Sequence, residues 1–147
     1  MVHMRPWYVL HTRPRQEQTL ALRLEARDFE AYTPLYASGD KQPTLVFPRY
    51  IFCRARDDET DIRAIQYVPG LEHILAQGGA YAQVADTFVQ QIKSFIHALE
   101  QGTTAGQHAE DRIPDQKLRE RLATLVSSRS ITKRNAVLFE LLQHIAR

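Results

Sequence analysis

Leu45-Val46-Phe47-Pro48-Arg49-Tyr50-Ile51-Phe52-Cys53 is the stretch on which the fold turns. Aromatic and β-branched residues crowd into it and Pro48 marks its edge or start, so it is expected to run as a strand. Successive side chains of a strand point to opposite faces, which puts Tyr50 and Phe52 on one face and Arg49, Ile51 and Cys53 on the other. Both faces carry apolar residues. A sheet covered by helices on one side needs only one such face. The second must then be covered by a partner, by the C-terminal part of the chain or by another copy. The alternative is that both faces belong to one core.

Upstream, Trp7-Tyr8-Val9-Leu10-His11-Thr12 has the same strand character and is stopped by Pro14. Arg15 to Arg27 is rich in helix formers, with Leu20, Ala21 and Leu24 on one stripe. Phe29 to Leu35 is a further short strand, ending near Pro34, and Ser38 to Pro43 is a flexible connection. Downstream, Asp57 to Ile65 opens with acids and predicts a short helix, and Tyr67-Val68-Pro69-Gly70 is a turn signal. His73 to Leu75 follows as a last short strand before Gly78-Gly79. A helix from Asp86 or Thr87 to about Glu100 carries Phe88, Ile92, Phe95, Ile96 and Leu99 at helical spacing. The order β-α-β-β-α-β-α predicts an α+β fold: a ferredoxin-like antiparallel sheet with flanking helices.

Residues 102–114 read as a polar linker. Beyond them Leu118, Leu122 and Leu125 recur at helical spacing, and Val137, Leu138, Leu141, Leu142 and Ile145 form a second apolar stripe. Residues 115–147 are therefore expected to form an α-helical hairpin.

Charge is distributed in blocks. Residues 1–56 carry +4, residues 57–109 carry −5 and residues 110–147 carry +3, within a net charge of +2. Such blocks suit docking on a charged partner or folding back of one segment on another. No apolar run approaches the ~18 residues of a membrane span, and the N-terminal residues contain no secretory h-region. A single cysteine, Cys53, excludes a disulfide framework and fits a reducing cytoplasm.

Enzyme chemistry has no constellation to stand on. The six histidines show no metal-ligand spacing, Cys53 sits in an apolar strand, and Gly78-Gly79 alone is no phosphate loop. No catalytic residue, metal or cofactor is expected. Aromatics beside arginines are the stronger signal: Trp7, Tyr8, Phe47, Tyr50 and Phe52 with Arg5, Arg13, Arg49, Arg54 and Arg56. They serve either a protein-docking face or stacking on single-stranded bases.

Trp7-Tyr8-Val9, Pro34, Phe47-Pro48-Arg49-Tyr50-Ile51-Phe52 and Val68-Pro69-Gly70-Leu71 occur together, in order, within residues 5–101. In these motifs the chain resembles the N-terminal (NGN) domain of the NusG family of transcription factors, which includes specialised paralogues such as RfaH. The resemblance implies a non-enzymatic transcription elongation or antitermination factor that rides on RNA polymerase. The domain would bind the clamp helices of the largest subunit through a patch formed here by His11, Tyr50, Phe52, Val89 and Ile92. Arg13 and Arg15 fall where specialised members contact non-template DNA. The family's second domain, a small β-barrel termed KOW, is not matched, and the helical hairpin is expected in its place. By similarity to RfaH that hairpin would mask the patch, through Leu138, Leu141, Leu142 and Ile145. A permanent cap or a dimerisation surface are the other two roles open to it. A single-stranded nucleic-acid-binding module that never touches polymerase is the alternative function, and a small enzyme on the same fold is a third.

Overall fold

The six residues of β1 (Trp7–Thr12) form the centre of the fold, because strands pair with them on both sides. The structure, a computed structural model, describes residues 5–37, 42–57, 59–100, 135–136 and 138–139. Along the chain β1 is followed by α1 (Glu17–Glu25), β2 (Phe29–Tyr32), β3 (Leu35–Tyr36), β4 (Thr44–Leu45) and β5 (Tyr50–Ala55). Next come β6 (Leu71–Ile74), β7 (Ala76–Gln77), β8 (Ala80–Tyr81), β9 (Gln83–Val84) and α2 (Asp86–Glu100). The chain divides into two units: Met1–Thr33 with Arg49–Asp86, and Pro34–Pro48 with Thr87–Arg147.

The first unit is an antiparallel sheet in the order β2-β5-β1-β6, with β9 also paired to β1. Because β1 and β2 are both antiparallel to β5, they run parallel to each other, joined by α1. The same logic makes β5 and β6 parallel, since both oppose β1. Their crossover contains a single 3-10 turn, Ile62–Ile65, where a full helix would be usual for a ferredoxin-like sheet. Asp61 starts that turn, its carboxylate accepting the Arg63 N–H at 2.9 Å. The expected short helix at 57–65 is thus confined to its last four residues.

Register divides the sheet cleanly. Tyr8 faces Cys53 and Leu10 faces Ile51 across the β1–β5 ladder, while Val9 faces Phe52 and His11 faces Tyr50. Leu10, Ile51 and Cys53 join Leu20 and Leu24 of α1, Phe29, Ile62, Ile65, Val68, Leu71 and Ile74 in one apolar cluster. Each such side chain contributes roughly 1.5–3 kcal/mol on full burial. Trp7, Val9 and Phe52 lie on the other face and are equally withdrawn from solvent. Both faces of β5 are therefore closed, from Tyr50 through Cys53.

In the second unit β3 and β4 pair antiparallel, Leu35 with Leu45 and Tyr36 with Thr44. The Val46 N–H donates to the Pro34 carbonyl at 3.0 Å, and Phe47 is buried. The Glu100 carboxylate at the end of α2 accepts the Ala37 N–H at 3.0 Å. Phe88, Val89, Ile92, Phe95 and Ile96 form the buried stripe of α2. Asn135, Ala136, Leu138 and Phe139 are helical, and Asn135 Nδ2 donates to the Pro48 carbonyl at 3.1 Å. The linker at 102–114 and the rest of the expected hairpin at 115–147 lie outside the described residues.

Differences from expectation have local causes. The strand expected over 45–53 is two strands, because Pro48 cannot donate to a ladder and Arg49 sits at φ +73°. The strand expected over 29–35 pauses at Thr33-Pro34 for the same reason. The helix expected over 15–27 is shorter, since Arg15 and Asp28 hold φ values of +62° and +64°. The β7–β8 hairpin was not foreseen. Gly78 and Gly79, at φ +58° and +83°, form the two-residue turn that left-handed backbone permits.

Candidate functional site

His11 stands at the meeting point of three strands. Across the β1–β5 ladder its ring lies 4.9 Å from that of Tyr50, and across the β1–β6 ladder 4.8 Å from that of His73, both tilted. Its Nδ1 is buried 3.3 Å from a Glu72 carboxylate oxygen, at an angle that makes no hydrogen bond. Burial depresses the His11 pKa below its ordinary 6.5, helped by the charges of Arg49 and His73 and opposed by Glu72. The imidazole is therefore neutral at pH 7, as an apolar face requires. Burial likewise raises the pKa of the Tyr50 phenol and keeps it protonated. Among the described residues no three His, Cys, Asp or Glu side chains are grouped as a metal ion would need.

Arg49 fixes the start of β5. Its N–H donates to the buried Glu17 carboxylate at 3.1 Å, its Nε to the Thr12 carbonyl at 3.2 Å and its Nη2 to Glu72 at 2.6 Å. Those three bonds hold a non-glycine residue in left-handed backbone, a conformation costing about 1–2 kcal/mol. Tyr50 is placed accordingly.

A second network closes the far end of the same sheet face. Asp86 Oδ1 accepts both the Trp7 Nε1 proton at 2.9 Å and Arg54 Nη1 at 2.8 Å. Arg54 Nε donates to Glu30 at 2.8 Å, and its guanidinium lies 4.5 Å over the Trp7 ring. The ring face and the carboxylates together meet the Arg54 charge. Sequence reasoning treated Asp86 only as a helix cap; nothing local signals its pairing with Trp7.

The predicted patch is not an open surface in this structure. Tyr50 is 9% exposed, Phe52, Val89 and Ile92 are fully buried, and the His11 side chain is 15% exposed. His11, Tyr50 and Phe52 belong to the first unit, Val89 and Ile92 to the second. Arg13 and Arg15 are exposed, Arg15 in left-handed backbone. Leu138 is fully buried, while Leu141, Leu142 and Ile145 lie outside the described residues. Cys53 is buried, and burial, then Glu25 and Glu30, push its thiol pKa up to about 12. It is no nucleophile.

A five-stranded antiparallel sheet of split β-α-β topology, opened by Trp7 and followed in the chain by α2, has the architecture of an NGN-type domain. Residues 5–93 match the family model described as transcription termination factor nusG, and the chain belongs to that family. Its members are non-enzymatic transcription elongation and termination factors that bind RNA polymerase. No curated protein matches the chain. Among the described residues, no helix is long and apolar enough to cross a membrane.

Proposed function

We propose that this protein is an elongation and antitermination factor that binds the clamp helices of the largest RNA polymerase subunit. The docking surface is the aromatic patch of His11, Tyr50, Phe52, Val89 and Ile92, and the site of action is the cytoplasm. One observation carries this reading. The His11 and Tyr50 rings lie 4.9 Å apart, tilted against each other, on a sheet face where their neighbours Val9 and Phe52 are apolar and buried. Helices docking into an aromatic-centred apolar groove reuse the physics of ordinary hot spots.

Since the patch is withdrawn from solvent, docking needs an uncovering step, and the C-terminal segment 115–147 is the cover. The two states would differ by a few kcal/mol, so that polymerase or a DNA signal selects the open one. Arg13 and Arg15 contact phosphates of the non-template strand, which positions the factor and reads no sequence by itself.

The test is binding of the isolated clamp-helix fragment by the full chain and by a chain ending at Gln101. Tight binding by the shortened chain alone supports both docking and the cover. Equal binding keeps the docking and discards the cover, leaving a structural cap or a dimer contact. No binding by either, with both folded, removes the docking.

A further inference from the structure

We propose that the Glu25 carboxylate is a built-in stop on the outer edge of the sheet, holding off a second copy of this chain that would otherwise pair with it strand to strand along β2. An outermost strand presents a row of unused N–H and C=O groups to any other strand that can reach it. Among the described residues the sheet ends at β2 on one side, with β5 its ladder partner. Backbone groups of an antiparallel strand point alternately toward the partner and away from it. The Arg56 N–H donates to the Asp28 carbonyl at 3.2 Å, so the bonded positions are Asp28, Glu30 and Tyr32, and the Phe29 and Ala31 amides face outward.

One of those outward amides is already taken. The Ala31 N–H donates to Glu25 Oε1 at 3.0 Å, and Glu25 is the last residue of α1. The other Glu25 oxygen accepts from Arg56 Nη2, which ties the carboxylate to the residue that follows β5. A carboxylate in the last turn of a helix meets the negative end of the helix dipole and is disfavoured there. Partial burial also works against its charge, yet the Ala31 N–H and Arg56 hold its pKa below the ordinary 4.5. The group is thus anionic at neutral pH and stands where the carbonyl of an incoming strand would have to sit.

A second copy is the occupant that fits the rest of β2. Two identical strands pair antiparallel about a two-fold axis, so the same residues, Phe29-Glu30-Ala31-Tyr32, supply both halves of the ladder. Phe29 is buried and Ala31 packs on the apolar cluster, so joining two edges extends the sheet and leaves each core as it is. Glu30, the one charge within β2, is met by Arg54 at 2.8 Å and adds little repulsion. Glu25 differs. Across the two-fold each copy brings its own, and two carboxylates would converge on one row of amides. The stop is therefore double: it satisfies the amide that pairing needs, and it sets like charges against each other.

The experiment is sedimentation velocity of the full chain over a series of concentrations, for the parent, Glu25→Ala and the double variant Glu25→Ala with Ala31→Pro. Glu25→Ala is expected to lower the dimer dissociation constant about 5- to 150-fold, the net worth of two freed N–H groups, one per copy. Ala31→Pro removes the N–H itself at no cost in bonds to β5, and should return the double variant to the parent's behaviour. Hydrogen exchange reads the same site without reference to size. The Ala31 amide of Glu25→Ala should exchange faster than the parent's when dilute, and more slowly as the concentration rises. If Glu25→Ala sediments like the parent at every concentration, Glu25 holds nothing off and the proposal falls. If it associates and Ala31→Pro does not reverse this, the copies meet elsewhere, through the C-terminal segment for one, and the proposal falls as well. Melting followed through Trp7 fluorescence checks that each variant is folded; should the double variant melt early, the exchange of Ala31 in Glu25→Ala decides alone.

Discussion

The indole Nε1 of Trp7 donates a 2.9 Å hydrogen bond to Asp86, 79 residues further along the chain. The same carboxylate oxygen holds Arg54 at 2.8 Å, and Arg54 in turn holds Glu30. The first strand and the first residue of α2 are thereby tied through a group that is itself buried. Replacing Asp86 by alanine takes an acceptor from a buried N–H and a counter-charge from a half-buried guanidinium. The expected loss is about 2–4 kcal/mol, and about half that for Asp86→Asn, which keeps an acceptor. Urea unfolding followed by the fluorescence of the single tryptophan measures both; a loss below ~0.5 kcal/mol for Asp86→Ala would show the network to be ornamental.

Stability should depend on pH through His11. Its folded-state pKa is depressed, so the unfolded chain binds the proton more readily in the window just below 6.5. The neutral imidazole's contribution is complete above that value and is lost as pH falls through the folded-state pKa. His11→Gln should flatten the denaturation midpoint across that window. An unchanged profile would mean that His11 titrates alike in both states.

Cys53 should be silent toward thiol reagents in the native protein at pH 8, because its thiol is buried and titrates near 12. Labelling with a chromogenic disulfide should follow the unfolded fraction as urea is raised. Prompt stoichiometric labelling without denaturant would contradict the closed face of β5.

Asp28 occupies left-handed backbone at φ +64° on an exposed turn, and its carbonyl accepts the Arg56 N–H at 3.2 Å. Glycine adopts that backbone freely and keeps the carbonyl bond. Asp28→Gly should therefore raise stability by on the order of 0.5 kcal/mol, the strain relieved less the added chain entropy. Asp28→Val should lower it, and calorimetric melting distinguishes the two.

Much of this fold was legible because it is written in local periodicity. The strand at Trp7–Thr12 and the helix at Asp86–Glu100 stand where aromatic density and the apolar stripe put them. The alternation of Tyr50 to Cys53 also showed that both faces of β5 must be covered. What local pattern could not give was set by single backbone angles: Arg49 at φ +73° splits one expected strand into two. Ala76-Gln77 and Ala80-Tyr81 are too short and polar for a strand signal, although the Gly78-Gly79 pair between them was a usable hairpin cue. The site divides the same way. Its aromatics were visible in sequence, but their burial depends on elements far away in the chain.

The placement of β1 at the middle of the sheet has a consequence for synthesis. The ribosome makes this strand first, yet its ladder partners begin at Tyr50 and end at Val84. At ~5–20 residues per second, β1 waits roughly 2–8 s for β5 and longer for β6 and β9. Trp7, Val9 and Leu10 are apolar on alternate faces throughout that interval. The nascent segment is thus a natural client for a chaperone at the exit port, and substitutions that slow β5 pairing should reduce yield in cells before they reduce equilibrium stability.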